Sequence, residues 1–277
     1  MSTEIRLAGV IGDPIAHSKS PALHGHWLAR YGIPGHYVPL KIARKDLKKT
    51  LRALPRMGFS GVNVTIPHKE HVLSFADSVT DRAALIGAAN TLTFSANGQL
   101  QADNTDGVGF LANLYQNAPD WRADAGPALV LGAGGASRAV VSALLGDGAP
   151  QVFLVNRTRV RGETLREKLG ARVKVMDWAH IPDLLPDISC LVNTTSLGME
   201  GGQPLQIDLS DLRPTTLVTD IVYTPLQTGL LQQAAELGCP TVDGLGMLLH
   251  QAAPGFERWF GRKPDVDGDL RQAVLSA

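Results

Sequence analysis

Two groups of residues in this chain have types and spacing that suit chemistry. The first is a set of short polar side chains placed where predicted strands stop. Ser18 and Ser20 follow the first strand, Thr65 and Lys69 follow the strand that carries Asn63, and Asn90 and Asp106 flank a hairpin. Hydroxyls and amides gathered at one sheet edge suit a small polyhydroxylated ligand, whose donors and acceptors all need partners once buried. Taken singly, such residues are turn formers and caps; several at one edge weigh more. Lys69 and Asp106 are the pair suited to proton transfer, which the interconversion of an alcohol and a ketone requires alongside hydride transfer. The alternative is a structural ion pair joining two loops. His17 and His68 rank below Lys69, as loop or capping residues.

The second group is rich in glycine. Leu129, Val130 and Leu131 form a short apolar run that Gly132, Ala133, Gly134 and Gly135 end abruptly, and residues 136–145 carry a helical apolar pattern. Gly132 permits a tight turn, and Gly134 lets a pyrophosphate approach the backbone. The N–H groups at the helix start carry the partial positive charge that holds an anion. Ser137 stands where G-x-G-x-x-G has its third glycine, so the motif alone does not exclude a plain strand-to-helix turn. The next strand, residues 151–155, adds the discriminating feature. An NAD site places an acidic residue about 20 residues beyond the loop, to hold the ribose 2′-hydroxyl. This chain has Asn156, Arg157, Thr158, Arg159 and Arg161 there. A guanidinium pairs with a 2′-phosphate that a carboxylate would repel, so the cofactor reading is NADP rather than NAD. The alternative is that these arginines are a solvated helix start.

The elements that must position these groups follow from pattern. Strands are predicted at residues 6–12, 36–40, 61–66 and 89–94, with Asn97-Gly98 turning the chain into a strand at 100–103. Helices are predicted at 22–31, at 41–54 as a basic amphipathic helix with Lys45, Lys48 and Lys49 solvated, from Pro67, at 80–87 and at 108–115. From Leu129 onward strands and helices alternate, with later strands at 172–175, 188–193 and 217–222. That alternation predicts a doubly wound parallel sheet. After Gly244 the pattern is helical.

The whole chain sets the bounds. Its 277 residues suit two domains. Basic and acidic residues balance at 26 each, which gives no broad pull on nucleic acid or a membrane surface. Cys190 and Cys239 form no metal spacing and no disulfide framework, which suits a reducing cytosol. Residues 1–4 carry no leader pattern, and no apolar run approaches membrane-spanning length. The expectation is a cytoplasmic enzyme with a small-molecule substrate, as a monomer or homodimer, without a metal.

Together the motifs resemble shikimate dehydrogenase, the NADP-dependent family that reduces 3-dehydroshikimate. The matching stretches are Ile11-Gly12-Asp13-Pro14 with Ser18-Lys19-Ser20-Pro21, Asn63-Val64-Thr65-Ile66-Pro67-His68-Lys69, and Gly87-Ala88-Ala89-Asn90-Thr91. They continue with Asp103-Asn104-Thr105-Asp106-Gly107, Gly132-Ala133-Gly134-Gly135-Ala136, Asn156-Arg157-Thr158 and Asn193-Thr194-Thr195-Ser196-Leu197-Gly198-Met199. The last are Asp220-Ile221-Val222-Tyr223 and Asp243-Gly244-Leu245-Gly246-Met247 with Gln251. They cover nearly the whole chain.

The resemblance implies that Ser18, Ser20, Thr65, Asn90, Asp106, Tyr223 and Gln251 hold the carboxylate and hydroxyls of shikimate, and that Lys69 transfers the proton beside Asp106. It assigns the pyrophosphate to Gly132, Ala133, Gly134, Gly135 and Ala136, and the 2′-phosphate to Asn156, Arg157, Thr158 and Arg161. Ile221 and Gly244 would border the nicotinamide, Ile221 standing where some relatives have methionine, and Asp81 matches a position sometimes assigned to cofactor contact. The fold it implies is an α/β substrate domain over residues 1–106, with 245–277 packing back on it, and a doubly wound, Rossmann NADP-binding domain over 107–244. The active site would lie in the cleft between them. The rival readings are a quinate/shikimate dehydrogenase using NAD, and a catalytically silent NADP-binding sensor on the same fold.

Overall fold

The computed structural model describes residues 5–277. The absence of a leader pattern concerned residues 1–4, which lie outside the described residues. The chain divides into two compact units. One runs to Thr105 and takes in Leu249–Ala277; the other is Asp106–Leu248.

The first unit is built on strands β1 (Arg6–Gly12), β2 (Gly35–Lys41), β3 (Phe59–Val64), β4 (Ser78–Val79), β5 (Thr91–Phe94) and β6 (Leu100–Asp103). Their order is β2-β1-β3-β5-β6-β4. β1 is parallel to both β2 and β3, whereas β5 is antiparallel to β3 and to β6. The hairpin loop is closed by the Ser95 N–H donating to the Gln99 carbonyl at 2.9 Å. Gly98 supplies the left-handed residue it needs, with φ 80°.

Helix α1 (Ser20–Arg30) opens with Pro21 in its first turn and buries Leu23, Trp27 and Leu28. Helix α2 (Leu47–Ala53) is shorter than the predicted 41–54, because Lys41 still pairs with Gly12 in β2. Its Leu47 and Leu51 join Ile11, Val62, Val64 and Leu92 in one core, each such side chain contributing about 1.5–3 kcal/mol on burial. Helix α3 (Asp81–Ile86) has the caps its sequence promises: the Thr80 hydroxyl accepts from Ala83 N–H, and Gly87 ends it at φ 72°. No α-helix opens at Pro67. The Lys69 carbonyl, which a helix would need, accepts from Ala89 N–H at 2.8 Å instead, and a 3-10 turn forms only at His71–Phe75.

The second unit starts with α4 (Asp106–Asn117), two residues earlier than predicted. There follow β7 (Ala128–Leu131), α5 (Gly135–Gly146), β8 (Val152–Val155), α6 (Arg159–Leu169), β9 (Val173–Met176), a short α7 (Ile181–Leu184), β10 (Cys190–Asn193), β11 (Leu217–Asp220), α8 (Gly229–Glu236) and β12 (Thr241–Val242). All pairs are parallel, in the order β12-β11-β10-β7-β8-β9. This is the doubly wound sheet, with its strand order reversing between β7 and β10, where such folds bind ligands. Alternate residues feed two cores. Val130, Val152, Leu154 and Val192 pack with Phe110 and Leu144, while Leu129, Leu131, Leu191 and Val218 pack with Ile181 and Leu230. Cys190 belongs to the first of these cores and Cys239 to the second, and both are unpaired thiols. Burial pushes the Cys190 thiol up to about 12. β11 stops at Asp220, short of the predicted 222, because the Val222 N–H is captured by the Asp220 carboxylate at 3.0 Å.

Helix α9 (Leu245–Phe260) passes from the second unit into the first, to which its residues from Leu249 belong. Helix α10 (Gly268–Leu275) packs on α1, where Asp267 caps it and pairs with Arg30 at 2.6 Å. Among the described residues, no helix is long and apolar enough to cross a membrane.

Candidate active site

In the first unit the ends of β3, β5 and β6 bring polar side chains together. Asn90, just before β5, is the hub. Its Oδ1 accepts from Thr105 N–H at 2.8 Å and from the hydroxyls of Thr105 and Thr91 at 3.1 and 3.0 Å, and its Nδ2 donates to Gln251 Oε1 at 3.0 Å. The Thr105 hydroxyl also approaches the Gln251 carbonyl at 2.8 Å. Asn63 on β3 donates to the Asn90 carbonyl at 3.1 Å and accepts from the Tyr37 hydroxyl at 2.7 Å. Asn90 and Gln251, 161 residues apart in sequence, are therefore fixed against one another, and both are buried.

The other predicted residues of this unit sit around that frame. The Ser18 hydroxyl accepts from the N–H of buried Ser20 at 3.3 Å. Between them Lys19 donates to the carbonyls of Val274 and Ala277, at 3.1 and 3.2 Å, tying this loop to the end of α10. Thr65 is half-buried, its N–H held by the Ile11 carbonyl at 2.9 Å. The Lys69 backbone is held at Ala89, next to Asn90. Asp81 is the exposed first residue of α3, outside the Asn90 network. His68 is fully buried with Nε2 2.7 Å from the Ile42 carbonyl, which makes it a strut, and His17 is exposed.

Asp103, the last residue of β6, has a role that its sequence context does not announce. It is fully buried. Its oxygens accept from the Thr80 hydroxyl at 2.7 Å, from Arg82 through two nitrogens at 2.6 and 2.5 Å, and from Arg258 at 2.6 Å. Burial opposes its charge, but these donors outweigh burial and hold its carboxyl well below the usual carboxylate range. The only trace of it in the sequence is an acid in a strand that otherwise buries its alternate residues.

In the second unit the loop after β7 is built as the glycines suggest. Gly132 has φ 106°, and a Cβ there would stand 2.8 Å from the Thr194 hydroxyl. Ser137, in place of the third glycine, is buried and donates to the Gly132 carbonyl at 2.5 Å, closing the turn with its side chain. A Cβ on Gly134 or Gly135 would meet nothing within 4 Å, and no side chain caps the start of α5. This open, uncapped helix start fits a pyrophosphate. The Ala133 N–H donates to Asn156 Oδ1 at 3.1 Å, so Asn156 braces the loop.

Arg157 and Arg161 lie exposed on the same segment, with no ion pair among the described residues. Arg159 is spent internally, on Asp177 at 2.7 Å and Glu163 at 3.4 Å. Asp106 is buried as the first residue of α4, in the second unit, whereas Lys69 is in the first. Tyr223 is half-buried, and burial pushes its phenol up. Ile221 and Gly244 are in backbone contact. Beneath them Asp220 accepts from Asn193 Nδ2 at 2.9 Å and from the Thr228 hydroxyl at 2.8 Å, and its burial raises its carboxyl. Among the described residues no cluster of His, Cys, Asp or Glu could hold a metal ion.

Residues 10–92 match the family described as the shikimate dehydrogenase substrate binding domain, residues 117–198 match shikimate / quinate 5-dehydrogenase, and residues 244–275 match the shikimate 5′-dehydrogenase C-terminal domain. A protein of Jannaschia sp. named shikimate dehydrogenase (NADP(+)) is 69% identical over 272 residues, 98% of each chain. Two solved structures are also similar. The quinate dehydrogenase of Corynebacterium glutamicum, in complex with NAD, has a TM-score of 0.92 at 32% identity, covering 99% of both chains. The shikimate 5-dehydrogenase of Thermus thermophilus, in complex with NADP(H) and shikimate, has a TM-score of 0.87 at 36% identity, again covering 99% of both. With a full-length relative at this identity and three family segments in order along it, the chain belongs to the shikimate dehydrogenase family.

Proposed function

We propose that this chain is a cytoplasmic, NADP-dependent shikimate dehydrogenase that interconverts 3-dehydroshikimate and shikimate in the route to the aromatic amino acids, acting as a monomer or homodimer. The observation that carries this reading is the buried Asn90–Gln251 frame, which is a rigid polar lining suited to a small ligand bearing several hydroxyls. Ser18, Ser20, Thr65, Asn90, Asp106, Tyr223 and Gln251 bind the carboxylate and hydroxyls of that ligand. Lys69 takes the hydroxyl proton on oxidation and returns it on reduction, with Asp106 as its carboxylate partner.

NADP, when bound, supplies the hydride acceptor or donor. The uncapped start of α5, with Gly132 making the turn, offers the loop of Gly132, Ala133, Gly134, Gly135 and Ala136 to its pyrophosphate, and the Ala133–Asn156 hydrogen bond braces that loop. Asn156, Arg157, Thr158 and Arg161 hold the 2′-phosphate, with the two guanidinium groups supplying the charge, Ile221 and Gly244 border the nicotinamide, and Asp81 makes a further cofactor contact.

The test is the rate of nicotinamide reduction with NADP+ and NAD+, each supplied with shikimate and with quinate. Turnover concentrated in the NADP+ and shikimate pair supports the reading. Strong NAD+ or quinate turnover favours the quinate/shikimate branch, to which the likeness to the Corynebacterium enzyme gives weight. NADP+ binding without any turnover favours the sensor.

A further inference from the structure

Helix α9 grips the first unit's sheet at two places. At Gln251 it meets Asn90 and Thr105, and at Arg258 it meets Asp103. Seven residues separate these two positions, which is two turns, so both lie on one face of the helix about 10 Å apart along its axis. Between them is Pro254, which has no N–H for the helical ladder. The half of the helix that carries Gln251 is thus joined to the half that carries Arg258 through a weakened turn.

The far grip is strong. Asp103 is a fully buried carboxylate, and Arg258 Nη2 reaches its Oδ2 at 2.6 Å. Next to it Trp259 Nε1 donates to the Leu92 carbonyl at 3.0 Å. A Cβ on Gly61 would stand 2.0 Å from that indole nitrogen, so the strand has no side chain where the ring lies. Asp103 also accepts from the Asn104 N–H at 2.7 Å, and the next residue, Thr105, holds both Asn90 and the Gln251 carbonyl. One carboxylate therefore sets both the strand end and the helix that meet at the candidate substrate residues.

We propose that Arg258, acting through Asp103, is a positioning residue for the substrate: it fixes the axial register of α9, and with it the reach of Gln251 to the bound shikimate. This rests on the reading of Gln251 as a substrate contact. Arg82 supplies the contrast. It binds the same Asp103 oxygens from α3 rather than from α9, so its loss weakens the fold without moving Gln251.

The test is a double-mutant cycle read as the KM for shikimate, with the melting temperature followed for each variant. Arg258→Met raises that KM about tenfold with kcat changed much less, in the range expected of neighbours in one network. Arg258→Lys restores part of it. In a Gln251→Ala background, Arg258→Met adds less than about twofold, because the residue it positions is gone. Arg82→Met lowers the melting temperature while leaving the KM for shikimate within about twofold of the parent. If Gln251→Ala raises the KM but Arg258→Met multiplies it again by the same factor, the positioning role is overturned and the substrate reading stands. Equal KM effects from Arg82→Met and Arg258→Met also overturn it. If Gln251→Ala leaves the KM unchanged, the substrate role of Gln251 and the positioning role fall together.

Discussion

Gly244 lies directly against the backbone of Ile221. A Cβ on Gly244 would stand 2.5 Å from both the carbonyl carbon and the oxygen of Ile221, and 2.7 Å from the carbonyl of Val222. Backbone cannot step aside as a flexible side chain can, so no residue larger than glycine fits without moving the segment just past β11. Gly244→Ala therefore displaces Ile221, one of the two residues proposed to border the nicotinamide. The expected outcome is a stability loss of about 1–3 kcal/mol and a clear rise in the KM for NADP+. Denaturant melts and steady-state kinetics check both. An alanine variant with parental cofactor kinetics would remove Ile221 and Gly244 from the proposed cofactor contacts.

The three arginines after β8 separate by their partners. Arg159 already holds Asp177 and Glu163, whereas Arg157 and Arg161 lie exposed without an ion pair among the described residues. Arg157→Ala and Arg161→Ala are each expected to weaken NADP+ binding about 10–100-fold, the worth of a charge-assisted hydrogen bond, and to leave NAD+ binding unchanged. Arg159→Ala should leave the ratio of the two affinities alone. Titration of both cofactors by fluorescence quenching measures this, and a parental NADP+/NAD+ ratio in the Arg157→Ala, Arg161→Ala double variant would exclude the clamp.

The contrast among these arginines shows where the sequence was legible. Strand β7, its glycines and the acid-free end of β8 are local features, and local pattern conveyed them: a buried parallel strand is a short apolar run, and its end is a turn. Thr80 and Gly87 bound α3 for the same reason. What pattern could not convey was which long-range partner each polar group has. Arg159 looked equivalent to Arg157 until Asp177, 18 residues away, was placed beside it. Asp103 had no visible role because Arg258 is 155 residues distant. Pro67 looked like a helix start because the claim of Ala89 on the Lys69 carbonyl is a tertiary contact.

Lys69 tests the chemistry itself. General acid–base groups contribute about 10²–10⁴-fold, so Lys69→Ala is expected to lower kcat by that order while shikimate and NADP+ still bind. Stopped-flow turnover and equilibrium binding, measured on the same preparation, separate the two effects. A variant that keeps parental kcat removes Lys69 from the reaction; one that loses shikimate binding along with rate makes it chiefly a binding group.

His24 is expected to make the stability of the fold depend on pH. Its imidazole is fully buried, stacked on Tyr37 at 3.9 Å and lying near Trp27, Phe256 and Trp259. Burial disfavours the imidazolium and lowers its pKa to about 3. In the unfolded chain the same group titrates near its ordinary value of about 6.5. Between these two values the unfolded state binds the proton and the folded state does not, so stability is lost as pH falls through that window and is fully present above it. The slope approaches about 1.4 kcal/mol per pH unit well below pH 6.5; integrated from pH 6.5, where the unfolded group is half protonated, to pH 5 it gives about 1.6 kcal/mol. His24→Phe keeps an aromatic ring in the stack and removes the titration. Whatever the substitution does to absolute stability, the variant should lose about 1.6 kcal/mol less than the parent over that interval. Urea melts at the two pH values, compared as differences, measure it. Equal losses in the two proteins would mean that His24 accepts its proton without leaving the folded core.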